Sequence, residues 1–190
     1  GLADAGGAEE HERADRPVRV LQAGAGTPHR LGDSLHRLAL DDALTAHQRP
    51  KLDRYTEHLF LTAYYVRLDP ASGELSLSEV DAFITGQALV TVHGSDFPIE
   101  EVLARWDGSP DLAGYGVAFL LHGVLDVVVD SHFQAIHTLD EEMDDLEDLL
   151  FAETPQGNTV QRRTYELRKS VVLLRRIVLP DGTAVTYGYD

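Results

Sequence analysis

Apolar positions alternate with a period of two through the middle of the chain, then step by three and four through its second half. Over residues 54–68, Leu59, Leu61, Ala63 and Tyr65 alternate with Phe60, Thr62, Tyr64 and Val66. Both sets are largely apolar, which predicts a strand covered on both faces. Asp69-Pro70-Ala71-Ser72-Gly73 has the chemistry of a turn. Further strands are predicted over 75–85 and 88–93, and the short connections make the three an antiparallel meander. Upstream, Asp33 or Ser34 is placed to cap a helix carrying Leu35, Leu38, Ala39 and Leu44, which Pro50 ends. The first 32 residues are small, charged and rich in glycine around one apolar run, Val18, Val20 and Leu21. They read as a flexible arm with an edge strand.

Pro98, Ile99, Glu100 and Glu101 open a short helix through Trp106, with acids at its positive end. The period then changes. Leu121, Leu125, Val128, His132, Ile136, Leu139, Met143, Leu146 and Leu150 step by three and four. One helix over 117–150 would be about 51 Å long at about 1.5 Å per residue, enough to project beyond the sheet. A turn at 154–158 leads to a second stripe, Val160, Thr164, Leu167, Val171, Leu174 and Val178. The two stripes predict an antiparallel helical hairpin with a coiled-coil-like seam. Eight acids and no bases lie between Asp140 and Glu153, while Arg162, Arg163, Arg168, Lys169, Arg175 and Arg176 line the second helix. The expected fold class is α/β of the α+β kind. Residues 1–32 form the arm, 33–116 a sheet domain with helices, 117–179 the hairpin and 180–190 a tail.

Composition narrows the function. The 190 residues include 32 acids and 16 bases, a formal net charge of −16, and the isoelectric point is about 4.8. That balance opposes nucleic acid, which needs clustered bases, and anionic lipid. It favours cations. With no cysteine, disulfides, thiolate metal sites and cysteine nucleophiles are excluded, and a reducing cytoplasm fits. No segment approaches about 20 consecutive apolar residues, because His122, Gly123 and Asp126 break the best stretch. The start lacks the basic and apolar regions of a signal peptide. Gly1 opens the chain and Met143 is its only methionine, so the sequence reads as processed or cut from a longer product.

Three features carry candidate chemistry. Residues 140–148 hold seven carboxylates in nine positions, a gatherer of hard cations or a solvated face opposite the basic helix. His122, Asp126 and Asp130 fall at i, i+4 and i+8 on one helical face. They read either as metal ligands, for Zn2+ or for hydrated Mg2+ met at a neighbouring subunit, or as an exposed polar stripe. His132 lies nearer the apolar stripe and reads as packed. Asp41 and Asp42 end a helix where the macrodipole disfavours acids, which calls for a cation or for one of Arg49, Lys51 and Arg54. No nucleophile elbow or triad context surrounds Ser95, Asp96 or His93, so no enzyme is read.

The run Leu40-Asp41-Asp42-Ala43-Leu44 followed by His47-Gln48-Arg49-Pro50-Lys51 resembles a signature of the cytoplasmic domain of CorA-type magnesium transporters. The resemblance extends over about residues 35–179, through Tyr55 to Tyr65, Leu89 to His93, Leu125 to Asp130, the acidic helix, Thr159 to Arg162 and Leu173 to Arg176. It implies an α/β domain with an acidic hairpin on the cytoplasmic side of the membrane, in a homopentamer. It also implies a stalk helix and two membrane helices with a Gly-Met-Asn motif, none of which is in this chain, so the fragment is expected to be soluble and not to conduct ions alone. Mg2+, with Co2+ or Zn2+ as alternatives, is the implied ion, held between subunits by carboxylates. By position, Asp41 and Asp42 match acids of that intersubunit site. Asp130 falls beside another, with Ser131 following where the pattern often has a second acid. A standalone protein-interaction module, or a zinc-handling relative using His122, His132 and His137, are the other readings.

Overall fold

The computed structural model describes residues 18–22, 49–56, 58–151 and 157–178. Five strands form one sheet: β1 (Val18–Gln22), β2 (Lys51–Arg54), β3 (Leu59–Asp69), β4 (Glu74–Ile84) and β5 (Ala88–His93). Their order is β1-β5-β4-β3-β2. The expected meander occupies the middle, and the run at Val18 is an edge strand antiparallel to β5, with Val20 opposite Val90. The helix read upstream of Pro50 lies outside the described residues.

The chain divides into two compact units, residues 1–64 with 78–127, and 65–77 with 128–190. In the first unit every residue of β5 is buried, as an uninterrupted run of mostly apolar side chains between two neighbours must be. Phe60, Phe83, Val90 and Val92 form the apolar cluster, and the Phe60 and Phe83 rings meet at 4.7 Å in a tilted pair. The acid Asp81 is wholly buried there, and Thr62 Oγ1 donates to its carboxylate at 2.9 Å. Lys51, which closes the HQRPK run, starts the edge strand β2. Its ammonium sits 5.1 Å from the Phe60 ring centroid and 2.8 Å from Asp53, so this part of the motif anchors a strand.

Helix α1 (Ile99–Gly108) follows, with Glu100 and Glu101 in its first turn and Ile99 and Val102 buried. A 3-10 turn, Pro110–Tyr115, leads into α2 (Val117–Phe151). Trp106 of α1 lies so close to Gly123 of α2 that any side chain at 123 would collide with the indole. Its Nε1 is buried without a hydrogen-bond partner among the described residues. By length and a mean hydropathy of 1.2, α2 would suffice for a membrane span. Within it Val124 and Val127 are buried and Asp126 pairs with Arg105, while about a third of the apolar window as a whole, 33%, is buried.

In the second unit, Arg163 of α3 (Gly157–Val178) reaches Glu142 of α2 at 3.3 Å, as the opposed charges of the predicted hairpin require. The buried faces differ from the expected stripes. On α2 they run through Ser131, Ala135, Leu139 and Leu146, leaving Ile136, Met143 and Leu150 exposed. On α3, Ser170 and Ile177 are buried where Val171 and Val178 were expected. At Ser170 a small side chain admits close approach: its Oγ donates at 2.8 Å to the carbonyl of Gly73, in the β3–β4 turn.

Candidate functional site

The face of α2 that the spacing picks out is built differently at each level. Val102 fixes α1 by burial, and Arg105, one turn on, presents its guanidinium to the Asp126 carboxylate. Asp126 is thus held by a base supplied from another helix, and both groups are part-exposed. One turn before it, His122 is exposed. In the second unit, Asp130 is exposed, while Ser131 beside it is buried. Ser131 Oγ accepts the Val66 N–H at 3.0 Å and donates to the Val128 carbonyl at 2.6 Å. The Val66 amide needs this partner because β2 pairs with β3 only as far as Thr62. A second acid at 131 would displace that bond, which gives the serine a structural reason.

The acidic run builds a second feature. Pro70, Thr138, Glu141, Glu142, Asp144 and Asp145 line an open depression. Glu142 is engaged by Arg163, and His137 stands 3.4 Å from Glu141 one turn away. The run is therefore partly neutralised by its neighbours, as a solvated face opposite a basic helix would be. Above it the turn is tightly made. The Asp69 carboxylate accepts from Ser72 Oγ at 2.7 Å and from the Ala71 N–H at 3.1 Å. These two bonds, the serine's first, hold its pKa below the ordinary value of 3.8. Gly73 takes φ 70°, the left-handed geometry that glycine tolerates.

Asp41 and Asp42 lie outside the described residues. Among the described residues no three His, Asp or Glu side chains gather closely enough to hold a metal ion. His132 is half-buried, and His137 is exposed beside Glu141. Sequence reasoning missed the role of Arg105. Its signal was a lone base in a last helical turn, too common to stand out.

The sequence and the fold have counterparts among known proteins. A family model described as CorA-like Mg2+ transporter protein matches residues 30–188. The chain is 29% identical over 150 residues to the cobalt/magnesium transport protein CorA of Thermotoga maritima, covering 77% of this chain and 42% of that protein. It is 28% identical over 146 residues to the putative metal ion transporter YfjQ of Bacillus subtilis, covering 76% of this chain and 44% of the relative. The chain thus spans less than half the length of either. Among solved structures, the full-length CmaX protein superposes with a TM-score of 0.54 at 20% identity, over 83% of this chain and 45% of that one. The soluble domain of CorA from Methanocaldococcus jannaschii gives 0.53 at 16% identity, over 80% and 68%. At these identities the two structures speak for the fold.

Proposed function

Because the chain belongs to the CorA-like Mg2+ transporter family, we propose that it is the cytoplasmic, divalent-cation-sensing part of a Mg2+ and Co2+ transporter. The pore would lie in further sequence of the kind that makes the relatives more than twice as long. The observation that carries this reading is the family match itself, which spans both Asp41-Asp42 and Asp130. The exposure of Asp130 and the net charge of −16 support it.

In this reading Asp41, Asp42 and Asp130 face hydrated Mg2+ where copies of the chain meet in a homo-oligomer. Mg2+ keeps most of its water, so scattered carboxylates acting through that water hold it weakly. A bound ion cancels repulsion between like charges on adjacent copies, and losing it loosens the assembly. Ion occupancy and assembly are then linked reciprocally. Asp126 would serve by pairing with Arg105, with His122 flanking it, rather than by binding metal directly. Catalysis has no part in this reading.

The test is thermal unfolding in rising Mg2+ at constant ionic strength, for the wild type and Asp42→Ala. Specific binding should stabilise the wild type by about 1.4 kcal/mol at ten times Kd, and the variant should lose most of that gain. If both respond only as they do to an equal dose of inert salt, the sensing role fails.

A further inference from the structure

Helix α3 turns most of its bases to one side. Tyr165 and Val172, seven residues apart, are exposed to 67% and 59%. At about 100° per residue, Arg162, Lys169 and Arg176 fall on one flank of the line they define, and Arg168 and Arg175 on the other. All five bases are exposed, and they lie within about 80° of Tyr165 around the helix. Buried Val160, Ser170, Leu174 and Ile177 lie about 120–180° from it. No acid shares the basic face. Glu166, the only acid of α3, stands about 100° from Tyr165 and 3.8 Å from Lys169. Arg163 points to the opposite side, where it reaches Glu142 of α2. One base of α3 therefore engages the acidic helix, and five face away from it.

We propose that this outer face of α3 lies against an anionic lipid surface. A narrow apolar centre holding a tyrosine, with bases on both flanks, is the pattern of a helix resting among headgroups. The Arg and Lys stems run along the apolar surface while their charges reach phosphates, and a tyrosine ring suits the boundary between apolar and wet. A plane of phosphates meets both basic flanks at once, whereas a partner helix would need acids on both sides of its own apolar line. The family is one of transporters, which act across a bilayer. The chain's net charge of −16 opposes the contact when taken as a whole, so distance decides. With its side chains α3 is about 10–12 Å across, and Glu142 lies behind it. At about 0.15 M salt a charge is largely screened beyond about 8 Å. The lipid surface then feels the near bases more than the far acids. The inference rests on neither ion sensing nor bound metal.

The test is co-sedimentation of the chain with vesicles in chelator at about 0.15 M salt. Phosphatidylcholine alone should bring down almost nothing, and an equal mixture with phosphatidylglycerol should bring down the wild type. Each base near such a surface contributes about fivefold to binding. Arg168→Gln with Arg175→Gln should therefore weaken binding roughly thirtyfold, and Arg162→Gln with Lys169→Gln, on the other flank, about as much. Glu141→Gln with Asp144→Asn, on the acidic helix, should not weaken it. These positions are exposed, so unchanged circular dichroism is expected of every variant. No binding to the mixed vesicles, equal binding to both kinds, or binding indifferent to the two base-removing variants would overturn the proposal. So would binding that appears only when Mg2+ replaces chelator, since the acids would then meet the lipid through the ion. If polyglutamate binds the folded wild type and the vesicles do not, the face belongs to an acidic protein partner and the proposal fails.

Discussion

In the sheet unit Phe60, Phe83 and Leu89 are completely buried, whereas on the hairpin Phe133, Phe151 and Tyr165 are each more than half exposed. The two regions use the same residue types for different ends. In the sheet, removing the rings from water contributes roughly 25 cal/mol per Å2 to folding of the chain itself. On the hairpin the buried stripe is drawn partly from small residues, Ser131, Ala135 and Ser170, and the bulkier side chains face outward. Singly scattered apolar residues on a surface need no explanation, whereas on the hairpin they recur along one side of each helix.

The comparison breaks most directly at a pair of phenylalanines. Phe83→Ala should cost about 3–5 kcal/mol, from lost burial and the cavity left behind. Phe133→Ala should stay within about 0.5 kcal/mol of wild type. Denaturant unfolding measures both, and equal costs would erase the distinction between the regions. Next in size is Ser131→Ala, which strands the Val66 N–H and should cost about 1–3 kcal/mol. The same substitution at exposed Ser72 should cost less. Hydrogen exchange at the Val66 amide gives a local readout that should accelerate in the Ser131 variant.

The smallest effect concerns the β3–β4 turn. The folded-state pKa of Asp69 is depressed, so its contribution to stability is fully present above its unfolded value of 3.8. It is lost as pH falls from there through the folded value. Asp69→Asn should therefore lower the melting temperature slightly at neutral pH, with the gap to wild type closing below pH 3.8. A constant gap across that window would mean that the turn is held by geometry alone.

Much of the fold was legible in the residues. The turn chemistry at Asp69 to Gly73 and the change of period after Gly116 placed β4, β5 and α2 within a residue or so of their observed limits, whereas the strand read over 54–68 begins only at Leu59 and the short edge strand β2 before it was not read. An edge strand at Val18 was legible because three apolar residues stood alone in a polar arm. The buried face of each hairpin helix was not. Periodicity weights large apolar residues, whereas close approach to the β3–β4 turn selected Ser170, and a strand amide beyond the end of β2 selected Ser131. The spacing of His122, Asp126 and Asp130 was legible, but not that Arg105 would claim Asp126. That pairing depends on how α1 meets α2, which no local pattern encodes. Resemblance carried Asp41 and Asp42, and those two lie outside the described residues.

Trp106 is the chain's only tryptophan, and it is pressed against the bare backbone of Gly123 with its indole nitrogen in a dry setting. Excited at its red edge, where the seven tyrosines do not absorb, the chain emits from this one indole, next in sequence to the arginine that holds Asp126. Its emission colour reports whether α1 remains seated on α2. Any ligand that loosened that contact would announce itself as a red shift, in unlabelled protein and in real time.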